Sequence, residues 1–504
     1  MNRNKQIALI LGAGPAGLAA AYELIVSNSN IKPIIIEKNS TVGGLSRTVY
    51  KDNSGVDIGG HRLHTNNPYI KSIWERFLTL QNSPSVDDII TKRQCNYPKN
   101  GKNPEVEDDV MLIRKRFSSI IYNSNFFPYP IKLSFDTFKK LGFKTSFLAG
   151  LSYLKSIFFK RKENTLEDFM INRFGEVLYG IFFKDYTKKV WGKDASELSS
   201  EWGHQRIRKL SLFKTVLNAI LTKFSFLRFK KETSLIDEFY YPKFGCSQLW
   251  DLMAKFIIEN GGEIILNSKF DSFNCFDNKI IGVKYKNQYN LLDEIFVNYV
   301  ISTIPIKDLI KGIDAPYDIK QEALNLPYRD YVLVSFYTNN FNLKNSTNYK
   351  TVNNITPDCW IYLQERDAIT ARIQIMNNWS PYLVSDFQNK YLISLEYFTN
   401  ENEDFWNKTE EEIILIAQRE AQKYNLFNKD DVLKSFVIKE KCAYPSYFGS
   451  YKNIDKIRDY LSKTKNLFLS GRNGKHQYNN MDEAMFCGIN VAREIVKNGF
   501  KNEK

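Results

Sequence analysis

Three glycines near the N-terminus have the spacing that binds a dinucleotide. Gly12, Gly14 and Gly17 form the pattern GxGxxG, and Glu37 follows about twenty residues later. Glycines at these positions permit a tight turn and let backbone N–H groups approach a pyrophosphate, which the positive end of a helix dipole also attracts. The acidic residue can accept hydrogen bonds from a ribose hydroxyl. We therefore predict a dinucleotide site here, in preference to a glycine turn of an unrelated α/β unit.

Two of the four histidines lie three residues apart, in the segment DIGGHRLHTNN at 57–67. Metal binding is the first chemistry that His61 and His64 suggest. A single metal site needs further ligands, and the other histidines, His204 and His476, lie in no matching carboxylate pattern. The sequence therefore predicts no metal site, and the pair is either functional or two polar loop residues.

The apolar pattern indicates the elements that would position these residues. Buried parallel strands are predicted at 6–11 and 32–37, with a helix at 18–26 between them, as in a Rossmann-type βαβ unit. Residues 109–231 contain long helical segments rich in Phe, Leu and Lys. Between about 310 and 400, four segments alternate apolar and polar residues, as strands of an antiparallel sheet with one wet face do.

The fold class is therefore α/β, or α+β for the chain as a whole. A discontinuous Rossmann-type dinucleotide-binding domain, an inserted helical domain and an antiparallel-sheet substrate domain are expected. Their predicted bounds are 1–108 with 240–310 and 440–504, then 109–239, then 311–439.

The composition limits the partners of the protein. The formal charge is +14, from 70 Lys and Arg against 56 Asp and Glu. The basic residues are interspersed with acidic ones and no nucleic-acid-binding module is recognisable, so a diphosphate-bearing substrate or lipid head groups are favoured over nucleic acid. Six cysteines without a CxxC pair are typical of reduced thiols in a cytoplasmic protein. The oligomeric state stays open.

The residues after Glu37 favour FAD over NAD as the dinucleotide. The segment Gly43-Gly44-Leu45-Ser-Arg47 resembles the second signature of the large FAD-containing family that includes amine oxidases, protoporphyrinogen oxidases and UDP-galactopyranose mutases. The resemblance implies that the glycine pair passes against the cofactor and that the arginine faces its phosphates.

Four segments resemble UDP-galactopyranose mutases in particular, and they occur in the same order along the chain. They are HxxHTNN at 61–67, YTxKxW at 186–191, the YR pair at 328–329 and GRNGKHQYNNMD at 471–482. In those mutases two arginines bind the substrate diphosphate, and the YR pair carries one of them, which corresponds to Arg329 here. The other lies in an RxPxR-like stretch, and here the sequence departs from the mutases. Here either Arg206 or Arg208 could correspond to it, and the register stays open.

The glycine pattern and the resemblance together imply a set of site residues. The residues expected to bind FAD are Gly12, Gly14, Pro15, Ala16, Gly17, Glu37, Lys38, Gly43, Gly44, Leu45, Arg47, Gly60, His61, Gly471, Arg472, Met481 and Asp482. Catalytic roles are implied for His61, His64, Tyr186, Trp191, Arg329 and Tyr478. Substrate binding is implied for Arg206, Arg208, Arg329, Tyr186, Trp191, Tyr478 and Asn479.

The resemblance also implies a mechanism. In such mutases the reduced flavin attacks the anomeric carbon of a nucleotide-linked sugar and forms a flavin–sugar adduct, after which the ring opens and recloses between pyranose and furanose forms. No net redox change occurs, and NADH or NADPH is implied as the reductant. A nucleotide sugar or a lipid-linked sugar is the expected substrate, for surface polysaccharide synthesis.

Two other functions are compatible with the sequence. A flavin-dependent oxidase or desaturase of the amine oxidase or protoporphyrinogen oxidase type would share the N-terminal unit but would not need the HxxHTNN and YTxKxW segments. A non-catalytic flavoprotein could instead support glycan assembly at a membrane, because the basic, Phe-rich segments 146–162 and 213–231 could lie on an anionic bilayer or pack internally. The expected location is the cytoplasm, with the inner face of the membrane left open.

Overall fold

The computed structural model describes residues 5–129, 131, 135–206 and 238–501 of the chain. Its strands, in chain order, are β1 Gln6–Leu11, β2 Ile31–Ile36, β3 Thr48–Lys51, β4 Ser54–Asp57, β5 Thr79–Leu80, β6 Val110–Lys115, β7 Ser118–Tyr122, β8 Asn125–Pro128, β9 Glu238–Pro242, β10 Glu263–Ile265, β11 Lys269–Phe276, β12 Lys279–Lys286, β13 Leu292–Phe296, β14 Tyr299–Ser302, β15 Tyr328–Thr338, β16 Trp360–Leu363, β17 Arg372–Ile375, β18 Tyr391–Thr399, β19 Val432–Pro445 and β20 Leu467–Leu469.

The α-helices of the described residues are α1 Pro15–Val26, α2 Pro68–Phe77, α3 Val86–Thr91, α4 Phe135–Leu141, α5 Phe143–Phe158, α6 Leu166–Phe174, α7 Glu176–Tyr179, α8 Asp185–Trp191, α9 Ser200–Arg206, α10 Ser247–Glu259, α11 Ile306–Leu309, α12 Tyr317–Leu324, α13 Met376–Trp379, α14 Asp404–Asn407, α15 Glu410–Lys423, α16 Ile454–Ser462, α17 Gly471–Gly474 and α18 Met481–Lys501. A π-helical turn at Gly180–Lys184 joins α7 to α8.

A five-stranded parallel sheet forms the first layer of the fold, in the order β10-β2-β1-β14-β20. Its central strands are apolar and buried, as strands covered on both faces must be. The prediction of the βαβ unit is confirmed: β1 has the predicted bounds, β2 runs one residue earlier than predicted, and α1 begins at Pro15. Because the strands are parallel, their carboxyl ends bring Gly12, Glu37, Thr303 and Ser470 to one edge.

A seven-stranded sheet forms the second large layer, in the order β19-β15-β18-β17-β16-β7-β8. Its long strands are antiparallel, with Val334 opposite Leu395, and α15 covers one face through Ile413 and Ala417. The predicted sheet between about 310 and 400 is confirmed, and strands β7, β8 and β19 extend it. In the segment ARIQIMNNW the strand ends at Ile375, and the rest forms α13.

The helical part of the chain begins later than its sequence predicts. Residues 110–128 form β6, β7 and β8, because MLIRK and SSIIY are rich in β-branched and apolar residues that suit a pleated surface. Helices α4 to α9 follow between 135 and 206. The apolar segment at 213–231 lies outside the described residues, and the predicted domain bounds stay a prediction.

Three smaller sheets complete the described part of the chain. They are β11-β12-β13, the hairpin β3-β4 and β5-β6-β9. No helix in the described ranges combines the length and the apolar character that crossing a bilayer requires. The mixed α/β fold class predicted from the sequence is confirmed.

Candidate functional site

The first glycine turn connects β1 to α1 and leaves a surface free of side chains. Gly12 has φ +100°, a value that favours glycine, and its N–H donates to the Ile36 carbonyl at 2.8 Å. A Cβ at Gly17 would overlap the Gly12 carbonyl oxygen, so only glycine lets the helix pack on the turn. Gly14, at the N-cap of α1, carries no side chain that could accept the N–H groups of the first turn. These groups can therefore bind an anion.

A second glycine turn lies against the first. The N–H of Gly43 donates to the Ala13 carbonyl at 2.9 Å. A Cβ at Gly44 would lie 3.1 Å from the Gly14 Cα, so the two backbones approach closely. Arg47 follows, and its guanidinium donates to the Gly44 carbonyl at 2.8 Å and forms an ion pair with Glu440. The pair of turns forms a backbone cradle that fits an elongated dinucleotide.

Glu37 is buried at the end of β2, where it holds the first turn. Its carboxylate accepts the Ala13 N–H at 2.8 Å and both the backbone and the side-chain amide N–H groups of Asn39, at 2.9 and 2.8 Å. A carboxylate oxygen accepts more than one hydrogen bond, so these contacts leave capacity for a ribose hydroxyl. The neighbouring Lys38 is exposed. Their roles towards a cofactor stay predictions.

The C-terminal segment reaches the same edge of the sheet. A Cβ at Gly471 would lie 2.7 Å from the Ala16 Cβ, so this residue packs directly on the start of α1. Arg472 donates to the Asn479 carbonyl at 2.7 and 3.1 Å and to the Ala443 carbonyl at 3.3 Å. Met481 and Asp482 begin α18, whose N-terminal end provides partial positive charge at this edge. Burial raises the pKa of Asp482.

The predicted histidine pair is separated in the structure. His61 lies in the loop after β4, and burial, with the charges of Arg472 and Arg372 acting in the same direction, lowers its pKa to about 3. Its imidazole is therefore neutral at physiological pH. His64 is exposed, and burial of part of its ring lowers its pKa more modestly, against the charge of Asp482. The structure therefore places His61 within reach of the charges of Arg472 and Arg372, and His64 on the surface, where Asp482 and Arg116 act on it.

His61 also belongs to a buried cluster with Asp57 and Cys246, whose ligand-type atoms lie within 4.8 Å of one another. The Asp57 carboxylate already accepts hydrogen bonds from Thr48 Oγ1 at 2.6 Å and the Tyr241 hydroxyl at 2.8 Å. Burial raises the pKa of Asp57 to about 6. The donors around Asp57 explain the cluster as a hydrogen-bond network, and the prediction of no metal site stays a prediction.

Aromatic rings extend from Arg472 towards the large sheet. Its guanidinium carbon lies 4.7 Å from the ring centroid of Tyr478, which stacks on Tyr444 at 6.0 Å. Trp191 is buried at the end of α8, with its ring centroid 6.5 Å from that of Tyr444. Tyr186 meets the edge of Tyr362 at 5.7 Å. The structure therefore brings the predicted residues Tyr478, Trp191 and Arg472 to one wall, through Tyr444, which the sequence analysis missed.

Arg329 is buried and fully engaged by the protein. Its guanidinium donates to the Val190 carbonyl at 3.0 Å and the Phe398 carbonyl at 2.8 Å, and it contacts Asn400 and pairs with Glu403. These contacts fix α8 to the large sheet. A role in diphosphate binding stays a prediction, and the geometry gives no support to it.

The other arginines and the asparagine predicted to bind substrate are less informative. Arg206 is the last residue of α9, and Arg208 lies outside the described residues. Asn479 is buried, and its Oδ1 has no hydrogen-bond partner within the described chain. An orphaned buried oxygen of this kind is expected where a ligand binds.

Two further arginines, Arg62 next to His61 in the chain and Arg116, whose charge acts on Arg62 and His64, form no ion pair among the described residues. Burial raises the pKa of the Asp358 carboxyl, and the charge of Arg62 opposes this. Arg62 donates to Ser118 Oγ at 2.9 Å and lies over aromatic rings, including that of Phe239 at 5.1 Å. Burial lowers the pKa of Arg62, and the charge of Arg116 acts in the same direction. The Nε atoms of both arginines are buried without a hydrogen-bond partner. Such atoms are suited to an anionic ligand.

A buried ion pair joins β17 to β18 next to this group. Arg372 Nε donates to Glu396 at 2.5 Å, and its guanidinium lies 4.5 Å from the Trp360 ring centroid. The sequence contains a signal for this ion pair. Polar residues recur at every second position in two apolar strands, namely Arg372, Gln374, Ser394 and Glu396. That period marks a buried polar face rather than a wet one, because all four residues are buried.

Two backbone turns on the carboxyl edge of a parallel sheet, with an acidic residue at the end of β2, define a dinucleotide-binding protein. The family model described as flavin containing amine oxidoreductase matches residues 15–496, and the chain belongs to this family. It is therefore a flavin-dependent protein, and the cradle described above fits FAD.

Solved structures share the fold over nearly the whole chain. A reduced UDP-galactopyranose mutase is similar with a TM-score of 0.73 at 18% identity, covering 98% of this chain and 96% of that one. A putative protoporphyrinogen oxidase from Exiguobacterium sp. 255-15 has a TM-score of 0.67 at 14% identity, covering 98% and 99%. Wild-type putrescine oxidase bound to putrescine has a TM-score of 0.57 at 14% identity, also covering 98% and 99%. At these identities the similarity shows the fold alone.

Proposed function

We propose that this protein is an FAD-dependent mutase that interconverts the pyranose and furanose forms of a nucleotide-linked sugar. The observation that carries the proposal is the charge around His61. Arg472 and Arg372 both act on this residue, and Arg62 and Arg116 form no ion pair within the described chain. The carboxylates of Asp57, 4.0 Å from His61 Nδ1, and of Glu396, paired with Arg372, offset part of this charge. A diphosphate is attracted to such a group, whereas a protonated amine is repelled. The charge therefore favours a nucleotide-linked substrate over an amine.

The meeting of distant segments is a second support. Trp191 and Arg472, from the YTxKxW and GRNGKHQYNNMD segments, meet through the rings of Tyr444 and Tyr478, and the charge of Arg472 acts on His61 of the HxxHTNN segment. Three segments that the resemblance marks as functional therefore meet in one region, as the parts of a shared site would. The remaining segment, the YR pair at 328–329, contributes Arg329, which holds α8 in place for this group.

The residues of this chain would bind and orient the substrate. The flat rings of Tyr478, Tyr444 and Trp191 offer stacking surfaces for a base or a sugar, and the arginines offer planar forks for phosphate oxygens. His61 remains neutral, so it can hold a hydrogen bond without adding charge. The cradle residues would hold FAD, which in its reduced form would supply the nucleophile for transfer at the anomeric carbon, and the N-terminal end of α18 would provide partial positive charge at this edge of the sheet. NADH or NADPH would serve as the reductant.

A flavin-dependent oxidase is the alternative, and the family itself is the observation that favours it. The flavin containing amine oxidoreductase model matches the chain, and structures of a protoporphyrinogen oxidase and a putrescine oxidase share its fold. An oxidase of a neutral or anionic substrate would also tolerate the arginines.

Ligand binding tests the proposal before any turnover is known. We expect UDP to bind the FAD-loaded protein in isothermal titration calorimetry, and putrescine not to bind. Arg116→Gln should weaken UDP binding by about tenfold or more, as loss of a charge-assisted contact does. Arg366→Gln is the matched control, because this exposed arginine pairs with Asp185 on the surface and with no other acid among the described residues. Tight putrescine binding without UDP binding would reject the mutase.

A further inference from the structure

Helix α5 presents large apolar side chains to solvent on one face. Phe143, Phe147, Leu151, Leu154 and Phe158 recur every three or four residues, and their exposed fractions lie between 50% and 88%. Residues with this spacing lie on the same side of an α-helix. Phe159, at the end of the helix, is also 75% exposed, and Phe138 and Leu148 flank the face. We call the surface formed by these side chains the α5 face.

The inward side of α5 is made of small and polar residues. Ala149 and Ser156 are the buried residues of the helix, and Ser152 Oγ accepts the Val177 N–H at 3.2 Å. The polarity is therefore the reverse of an ordinary surface helix, which buries its apolar stripe and exposes its polar one. An exposed apolar surface of this extent marks an interaction site.

The charge around the α5 face identifies what it binds. Residues 137–162 contain seven Lys and Arg and no Asp or Glu, namely Lys139, Lys140, Lys144, Lys155, Lys160, Arg161 and Lys162. Among the described residues, Lys139, Lys144, Lys155, Lys160 and Lys162 form no ion pair. Two copies of such a strongly basic face repel each other, so a second copy of this chain is disfavoured as the occupant. An anionic lipid surface complements both the charge and the apolar stripe.

We propose that α5 docks the protein on an anionic membrane surface, with the α5 face inserted among the lipid head groups and acyl chains. A 16-residue helix is shorter than the roughly 20 residues that a spanning helix needs, so α5 lies in the plane of the interface. The lysines on its flanks extend to the phosphates. Membrane binding at this face is independent of the reaction at the flavin.

Vesicle flotation of the full-length, FAD-loaded protein tests the proposal. We expect binding to vesicles of phosphatidylcholine and phosphatidylglycerol at about 3:1, and much weaker binding at high salt or to phosphatidylcholine alone. The double variant Phe147→Glu/Leu151→Glu should weaken binding by at least about tenfold. Lys144→Glu/Lys155→Glu should weaken binding to the anionic vesicles in particular.

The matched control changes another exposed apolar side chain. Phe276 is 73% exposed on β11, so Phe276→Glu should float like the wild type. Because the residues changed in α5 are exposed, both α5 variants should keep the flavin spectrum and the melting temperature of the wild type. A wild type that does not float, or an α5 double variant that floats like it, overturns the proposal. A large fall in melting temperature of Phe147→Glu/Leu151→Glu also overturns it, since the face would then be packed against protein, and so does a wild-type dimer that this variant dissociates.

Discussion

Replacing Gly14 with alanine should weaken FAD binding while leaving the stability of the fold almost unchanged. A Cβ at this position would have the Gly44 Cα, at 3.9 Å, as its nearest neighbour, and the φ of −77° suits any residue. Alanine is a poorer N-cap than glycine, so the free energy of unfolding should fall by no more than about 1 kcal/mol. The methyl group, however, would stand where backbone N–H groups approach the pyrophosphate. Loss of one charge-assisted hydrogen bond, at about 1.5–3 kcal/mol, weakens FAD binding by roughly 10- to 150-fold.

Gly17→Ala should behave in the opposite way. Its Cβ would overlap the backbone carbonyl of Gly12, which cannot move without breaking the turn, so the fold itself should be lost or severely destabilised. Gly150→Ala is the control, because a Cβ in this exposed part of α5 meets no atom within 4 Å and should stabilise the helix by about 0.5–1 kcal/mol.

Two measurements distinguish the three variants. Urea titration gives the free energy of unfolding, and fluorescence quenching gives the FAD affinity. The reasoning is refuted if Gly14→Ala binds FAD as tightly as the wild type, or if it unfolds as Gly17→Ala does. Equal FAD affinity would mean that the pyrophosphate lies away from the first turn of α1.

Three other outcomes are expected. Arg329→Ala should lower the free energy of unfolding by about 2–5 kcal/mol, because it removes a buried guanidinium and leaves the carbonyls of Val190 and Phe398 without their donor; unchanged stability with lost UDP affinity would instead place this residue in a phosphate site. Arg372→Met should cost a similar amount by isolating Glu396, and the double variant with Glu396→Leu should recover part of it in urea unfolding; a single variant within about 1 kcal/mol of the wild type contradicts this. Burial lowers the pKa of His476 to about 4, so below about pH 6.5 the unfolded chain takes up a proton that the folded chain does not, and stability falls as the pH falls towards 4. Between about pH 6.5 and 5 this amounts to about 2 kcal/mol, and His476→Asn, which suits the φ of +45°, should flatten the acid limb by that amount; an equally steep limb would show that the histidine is not the cause.

The dinucleotide cradle could be predicted from the sequence because its determinants are local. The glycine spacing fixes where the backbone turns, and the apolar strand before it and the helix after it are contiguous in the chain. The same locality explains why β1 and α1 were predicted closely. The second turn, at Gly43 and Gly44, was instead expected from the resemblance of this segment to the FAD-containing family.

The partners of the charged residues could not be predicted, because they come from distant strands. Arg47 pairs with Glu440 and Arg329 with Glu403, and no spacing in the sequence connects these positions. The diphosphate role expected for Arg329 came from the resemblance of the YR pair, which does not reveal that the fold surrounds the guanidinium with acceptors. The environment of Arg62 could not be predicted either, because its partner Ser118 and the ring of Phe239 come from distant strands.

The sequence also did not show which side of helix α5 faces the solvent. Periodicity shows that one side of the helix is apolar, but only the packing of Ala149 and Ser156 against the protein shows that the apolar side faces outwards. Residues 110–128 show a related difficulty, because short apolar runs fit a strand or a helix equally well. They form strands here, although the sequence predicts them as part of the helical segment.

The most direct test of the proposed function is an anaerobic turnover measurement on the FAD-loaded protein after reduction with dithionite. Nucleotide hexopyranoses, with UDP-galactopyranose among them, would be followed by proton NMR while flavin absorbance is recorded. We expect conversion of a pyranose to its furanose with the flavin still reduced at the end, and no conversion by the oxidised protein. Turnover that requires oxidised flavin, or that consumes one oxidant per product, would contradict it.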